Sequence, residues 1–192
     1  MSSGEIYVFD DGPLSHFAEA GWLGLLEAYV DGNAALLPDT VHQELQQGVD
    51  SHAHLRQVLD APWLKLEVLA SLEDLTALST FTSRLLGDDG KQNLGECGVL
   101  ASAKTRGALA VIDDKFARRV AGDEGVRHVT TLGLLLQIVQ SGNLSMEYAS
   151  RVADRLLETE YRLPIGEGGF RAWAAINGQY DDEQEEEGGF SP

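Results

Sequence analysis

Two hydrophobic rhythms alternate along the chain. Residues 5–9 (EIYVF), 34–37 (AALL) and 110–112 (AVI) are short, nearly unbroken apolar runs, each closed by Asp or Pro. Runs of this length predict strands buried on both faces of a sheet. Trp63–Val68 instead alternates with period two and predicts a strand at the sheet edge, and Val126–Val129 predicts a further short one. Between the strands, apolar residues recur every three or four positions, the helical period. The first predicted helices are Leu14–Ala20, entered through Pro13 and closed by Gly21, and Trp22–Val30. Asp39 or Thr40 opens a third, to about Gln47, stopped by Gly48, and Ser51–Leu59 is a fourth. Ser71 opens a capping box for a helix to about Leu86, broken by Gly87–Gly90. Asn93–Ala121 reads as helix, tight turn, strand and second helix. Thr130 or Thr131 then starts a helix ending near Gly142, followed by Met146–Tyr161 and Gly169–Ile176.

Short strands alternating with helices imply an α/β fold, a parallel sheet with helices on both faces. At 192 residues the chain fits one domain with an appendage. No apolar run reaches the roughly 18–20 residues of a membrane span. The N-terminal stretch lacks the basic segment and apolar core of a signal peptide, and the single cysteine excludes an internal disulfide framework, so a cytoplasmic location is expected.

Charge narrows the function classes. Fourteen basic residues against 31 acidic give −17, and residues 181–187 (DDEQEEE) hold six of the acids. A protein that coats nucleic acid non-specifically is expected to be basic. An enzyme that meets phosphate through bound cations and a local basic patch is compatible with this balance, as is a basic protein partner.

The acids fall in a telling place. Asp10-Asp11 follows the first strand directly, and Asp113-Asp114 follows the Ala110–Ile112 strand. Parallel strands bring their carboxyl ends together, at the edge where open sheets bind ligands. Glu44, one turn into the helix after Leu37, and Glu96, opening its own helix, can reach the same mouth. Four clustered carboxylates repel one another unless a cation neutralises them, and hard divalent ions prefer oxygen ligands.

These segments resemble the PIN-domain family, close to its VapC-like predicted ribonucleases with a C-terminal helical extension. The matching pieces are VFDDGPLSHF at 8–17, LLPDTVHQEL at 36–45, NLGECGVLASAK at 93–104, VIDDKFARRVAG at 111–122 and TLGLLLQIVQSGNL at 131–144. The resemblance implies a three-layer α/β/α sandwich and an acidic site of Asp10, Glu44, Glu96 and Asp113. It also implies Mg²⁺ or Mn²⁺ as cofactor, hydrolysis of RNA phosphodiester bonds and, as a toxin, an antitoxin partner. The expected organisation is a nuclease domain over 1–144, a helical extension over 145–177 packed on it, and an acidic disordered tail over 178–192. A homodimer is expected and membrane association is not. The family usually places Ser or Thr after its first Asp, where this chain has Asp11-Gly12. Ser15, Thr130 or Thr131 could supply that hydroxyl, or Asp11 could add a fifth carboxylate.

In this reading Asp10, Glu96 and Asp113 hold metal, and Glu44 ligates through water or orients the attacking water. Asp114 either adds a ligand or caps the next helix. Six of the 14 basic residues, Lys104, Arg106, Lys115, Arg118, Arg119 and Arg127, lie near these acids in the chain. Arg118, Arg119, Lys115 and Thr131 are the candidates for substrate contact, Arg for its bidentate fit to phosphate. His42, His52 and His54 read as surface histidines, Cys97 as a buried helix cysteine, and Leu132–Val139 as a core helix or dimer face. The alternatives are a catalytically weak RNA- or protein-binding module, favoured by Asp11-Gly12 and the net charge, and a structure-specific DNA nuclease using the same site.

Overall fold

The computed structural model describes residues 4–85 and 93–178. The expected break at Gly87–Gly90 and the acidic run 181–187 lie outside the described residues. A first compact unit runs to Leu134, and a second begins at Leu135.

The strands are β1 (Ile6–Phe9), β2 (Ala34–Pro38), β3 (Leu64–Glu67), β4 (Leu109–Val111) and β5 (His128–Val129). They form one all-parallel sheet in the order β3-β2-β1-β4-β5. Tyr7, Val8, Phe9, Ala110 and Val111 are buried, as the unbroken apolar runs predicted for central strands. β3, which alternates, is an edge.

The helices of the first unit are α1 (Asp11–Glu19), α2 (Leu23–Val30), α3 (Asp39–Gly48), α4 (Leu55–Leu59), α5 (Leu72–Leu85), α6 (Leu94–Arg106) and α7 (Lys115–Asp123). α1, α3 and α4 pack together, as do α5, α6 and α7, and the sheet between them completes an α/β/α sandwich. From β1 the chain winds outward through β2 to β3, then crosses to β4 on the other side of β1. The strand order therefore reverses between β1 and β4, where such sheets open a crevice at their carboxyl ends.

Two predicted elements are shorter than their patterns. The Ser51–Leu59 helix is confined to α4, because the Ser51 and His52 N–H groups both turn back to the Gly48 carbonyl at the end of α3. The Val126–Val129 strand shrinks to β5, because Val126 N–H closes α7 by bonding the Ala121 carbonyl. α6 ends where Gly107 takes a left-handed φ of 62°, which glycine adopts without steric cost.

The division at Leu134 falls inside α8 (Thr131–Gln140), whose apolar residues Leu132, Leu134, Leu135, Leu136, Ile138 and Val139 are all buried. This run therefore reads as a core helix. In the second unit, α9 (Met146–Glu158) buries the stripe Met146, Ala149, Val152, Ala153 and Leu156, and Ser145 Oγ caps it by accepting from Tyr148 N–H at 3.2 Å. α10 (Phe170–Gly178) buries Phe170 and Ala174. No described helix is long and apolar enough to cross a membrane.

Candidate active site

β1 and β4 are in register from Tyr7 opposite Leu109 to Phe9 opposite Val111, and Asp10 N–H donates to the Val111 carbonyl at 3.1 Å. The chain thus delivers Asp10 and Asp113 side by side at the crevice. Asp10 stands at the N-cap position of α1 with an extended backbone, yet its side chain makes no capping bond. It is only 5% exposed, and its Oδ1 is buried with no hydrogen-bond partner among the described residues.

Glu44 arrives from α3, where its Oε1 accepts from Gly95 N–H at 2.9 Å. That approach depends on two glycines one turn apart on α6. A Cβ at Gly95 would collide with the Glu44 carboxylate, and one at Gly98 would collide with Thr40 Oγ1. Helical glycine costs up to about 1 kcal/mol against alanine; here it lets α3 lie close enough to carry its acid to the mouth. Asp113 is fixed by Thr131, whose N–H donates to Oδ1 at 3.0 Å and whose hydroxyl donates to Oδ2 at 2.6 Å. Asp114 Oδ1 accepts from Ala117 N–H at 2.7 Å and caps α7.

The N-termini of α1, α6, α7 and α8 therefore each meet a carboxylate, a contribution of about 0.3–1 kcal/mol apiece. At Asp10 and Glu44 burial and mutual repulsion outweigh it. Asp10 is held well above the usual carboxylate range, first by burial, then by the charges of Asp11, Glu96 and Glu44. Glu44 is pushed up to about 7 by burial and by Asp11 and Glu96, against the opposing Gly95 N–H. From the ordinary value of 4.5 this is on the order of 3 kcal/mol. Burial raises Glu96 as well, with Asp11 and Asp114 adding to it, and burial raises Asp11.

Among the described residues no three Asp, Glu, His or Cys side chains already form a set that would hold a metal ion. The carboxylates share a field rather than a closed shell. The donors are all hard anionic oxygens, one of them orphaned, and this chemistry fits Mg²⁺ or Mn²⁺ rather than a thiophilic metal.

The structure gathers Asp10, Glu44 and Glu96 into one electrostatic group and sets Asp113 beside Asp10. Asp114 serves as the cap of α7 while also facing Glu96. Thr131, expected at the substrate, is fully buried, and its hydroxyl is committed to Asp113. It is corrected to a residue that holds an acid in place. The other possible hydroxyl sources are engaged elsewhere: Ser15 Oγ lies 3.3 Å from His54 Nε2, and Thr130 Oγ1 accepts from Gly133 N–H.

The basic residues divide. Lys104 pairs with Glu124, Arg106 with Glu67 and Asp74, and Arg127 with Glu5. Lys115, Arg118 and Arg119, on the helix that starts beside Asp113, make no ion pair among the described residues. Arg118 Nε donates to the Asp113 carbonyl at 3.3 Å, which sets its guanidinium at the mouth. Cys97 is fully buried, its thiol pushed up to about 11 by burial, so it is no nucleophile.

Asp11, offered by the sequence as a possible fifth carboxylate, and His16, not singled out by it, also lie at the mouth. Asp11 acts on Asp10, Glu44 and Glu96 alike. Its place directly after Asp10 was the available signal. His16, on α1, lies in the field of Asp11 and Asp113, and burial pulls its pKa down; nothing in its sequence position marks it.

A doubly wound parallel sheet with acids massed at its switch point defines a ligand-binding α/β protein. The chain belongs to the PIN domain family, whose model matches residues 6–166. Among solved structures, the crystal structure of VapBC2 from Rickettsia felis bound to a DNA fragment from their promoter is similar at 16% identity, with a TM-score of 0.49 over 65% of this chain and 98% of that one. No curated protein matches the chain significantly.

Proposed function

We propose that this PIN-domain chain is a divalent-metal-dependent endoribonuclease. The observation that carries the reading is Asp10: a buried carboxylate with an orphaned oxygen, among acids whose charges raise one another's pKa values. Membership of the PIN family supports phosphodiester chemistry, and the cations Lys115, Arg118 and Arg119 of α7, which make no ion pair among the described residues, support a phosphate-bearing substrate. Asp10, Glu96 and Asp113 would hold Mg²⁺ or Mn²⁺, which supplies phosphate polarisation and a lowered water pKa when bound. Glu44, fixed by Gly95 N–H, orients the attacking water or accepts its proton. Arg118, fixed to the Asp113 carbonyl, presents its guanidinium to the scissile phosphate. The toxin role and an antitoxin partner follow from the family resemblance, and the net charge of −17 suits a basic partner.

Asp10→Asn tests this in the full chain. Mn²⁺-dependent RNA cleavage should fall at least about a hundredfold with the melting transition intact; unchanged cleavage would overturn the assignment. Asp113→Asn is a poorer test, because it also disturbs both bonds to Thr131. A second reading, a catalytically weak RNA- or protein-binding module, draws on Asp11 standing where the family has a hydroxyl. Mn²⁺ binding without cleavage would select it.

A further inference from the structure

We infer that Phe116 is a base-stacking residue, so that the proposed site takes single-stranded RNA with one unstacked base lying on α7; this rests on the nuclease reading above. Phe116 is the second residue of α7, three positions after Asp113, and is 51% exposed. The buried face of that helix is already filled by Ala117, Val120 and Ala121. The phenyl ring therefore points away from the core, and it makes no ring contact among the described residues. Half of its flat apolar face is thus open to an occupant. Tyr148, equally exposed, already has one: the Arg151 guanidinium lies 5.2 Å from its ring centre.

The surroundings of Phe116 select the occupant. Lys115 and Arg119 are exposed on the same helix and Arg118 is half-buried at the mouth, none of them in an ion pair among the described residues. In a chain of net charge −17, an exposed ring one turn from Arg119 and next to Lys115, with Arg118 on the helix's other flank at the mouth, suits a ligand that is anionic along one edge and apolar on a flat face. Single-stranded nucleic acid has that make-up, with phosphates for the cations and a base face for the ring. A duplex keeps its bases stacked and offers only phosphates. Other exposed apolar residues, Leu66, Val68, Leu72 and Leu75, are aliphatic and offer no ring for a base to stack on.

The experiment measures binding of a fluorescent 12-nucleotide single-stranded RNA, the matching RNA duplex and a DNA strand of the same sequence. It compares the full chain with its Phe116→Ala, Phe116→Leu and Phe116→Trp variants in EDTA, where cleavage is stopped. Exposure of the ring predicts unchanged melting for all three. Phe116→Ala and Phe116→Leu should weaken single-stranded RNA binding about five- to hundredfold, the range for losing one base–aromatic stack. Phe116→Trp should retain binding and show fluorescence quenching absent from the parent chain, while duplex binding stays within twofold. Unchanged RNA binding by Phe116→Ala, an equal loss for duplex, full retention by Phe116→Leu, a loss confined to DNA, or no RNA binding by the parent chain would each overturn the inference. Cleavage of RNA by the parent chain with Mn²⁺ is scored separately. Binding through Phe116 without cleavage sinks the nuclease reading alone, and cleavage indifferent to Phe116 sinks the stacking alone.

Discussion

Two aspartates in this fold are almost equally buried and electrostatically opposite. Asp10 is 5% exposed and Asp74 is 2% exposed. Asp74, in the first turn of α5, accepts from the Arg106 guanidinium, from Ser71 N–H at 3.1 Å and from Thr105 Oγ1 at 3.1 Å. Its own N–H returns a bond to Ser71 Oγ, the reciprocal capping box expected from the sequence. Arg106 also reaches Glu67 on β3 at 2.7 Å, so one guanidinium ties edge strand, α5 and α6 together. Led by Arg106, these donors hold Asp74 far below the usual carboxylate range, whereas Asp10 is held well above it. Both are closed to solvent, but Asp10 lies deep, where burial is the first cause of its rise, whereas Asp74 lies shallow beneath the donors that cover it. Asp74 has its countercharge within the chain, while Asp10 faces only further acids. A buried acid of the first kind holds a fold together; one of the second kind awaits a charge from outside.

The largest expected effect falls on the satisfied acid. Asp74→Ala leaves Arg106 short of its main partner and should cost about 3 kcal/mol in urea unfolding, with Mn²⁺ binding retained. A loss under about 1 kcal/mol would show that the network is ornamental, and the contrast with Asp10 would fail. Next comes the response to metal. Mn²⁺ at a hundred times its dissociation constant should stabilise the parent chain by about 2.7 kcal/mol. Asp10→Asn should abolish most of that gain; an equal gain in the variant would place the ion elsewhere.

The smallest effect is that of pH without metal. Glu44 has a folded pKa of about 7 against 4.5, so above 4.5 the unfolded chain releases a proton that the folded chain still holds. Its burden on stability is complete above about 7 and relieved as pH falls toward 4.5. Metal-free protein should therefore gain about 2 kcal/mol from Glu44 between pH 7 and pH 5, the other raised acids adding in the same direction. The contribution of Asp74 runs the other way but is lost only below about pH 4. Falling stability over that interval in calorimetry would refute the arrangement of the site acids.

Much of this architecture was legible before the structure. Unbroken apolar runs marked the central strands, and acids directly after them marked the switch point, because a parallel sheet leaves its carboxyl ends nowhere else to go. The capping box of α5 is local, and a local pattern identified it; the cap of α7 was one of two readings open for Asp114. Facing was not legible. Lys104, Arg106, Lys115, Arg118, Arg119 and Arg127 look like one basic cluster in the chain. Which face of α6 or α7 each occupies, and for Arg127 its place just before β5, decides that three are spent on Glu124, Glu67, Asp74 and Glu5 while three make no ion pair among the described residues. Thr131 read as a hydroxyl for substrate or metal because its partner Asp113 is 18 residues away in sequence. Asp11 was visible as an acid, but its reach across the mouth depends on how closely α3 and α6 approach.

That approach has a bearing on how this protein could be altered by design. Judged by helix propensity alone, Gly95 and Gly98 are defects, and any procedure that rewards local stability would replace both with alanine. Each exchange looks favourable when α6 is scored by itself, yet a methyl at Gly95 would take the place of the Glu44 carboxylate and one at Gly98 the place of the Thr40 hydroxyl. The chain would come out of such an optimisation well folded but with Glu44 turned from its place at the mouth, every acidic residue still in the sequence. The information that preserves the site is thus written in two residues that bear no functional group at all.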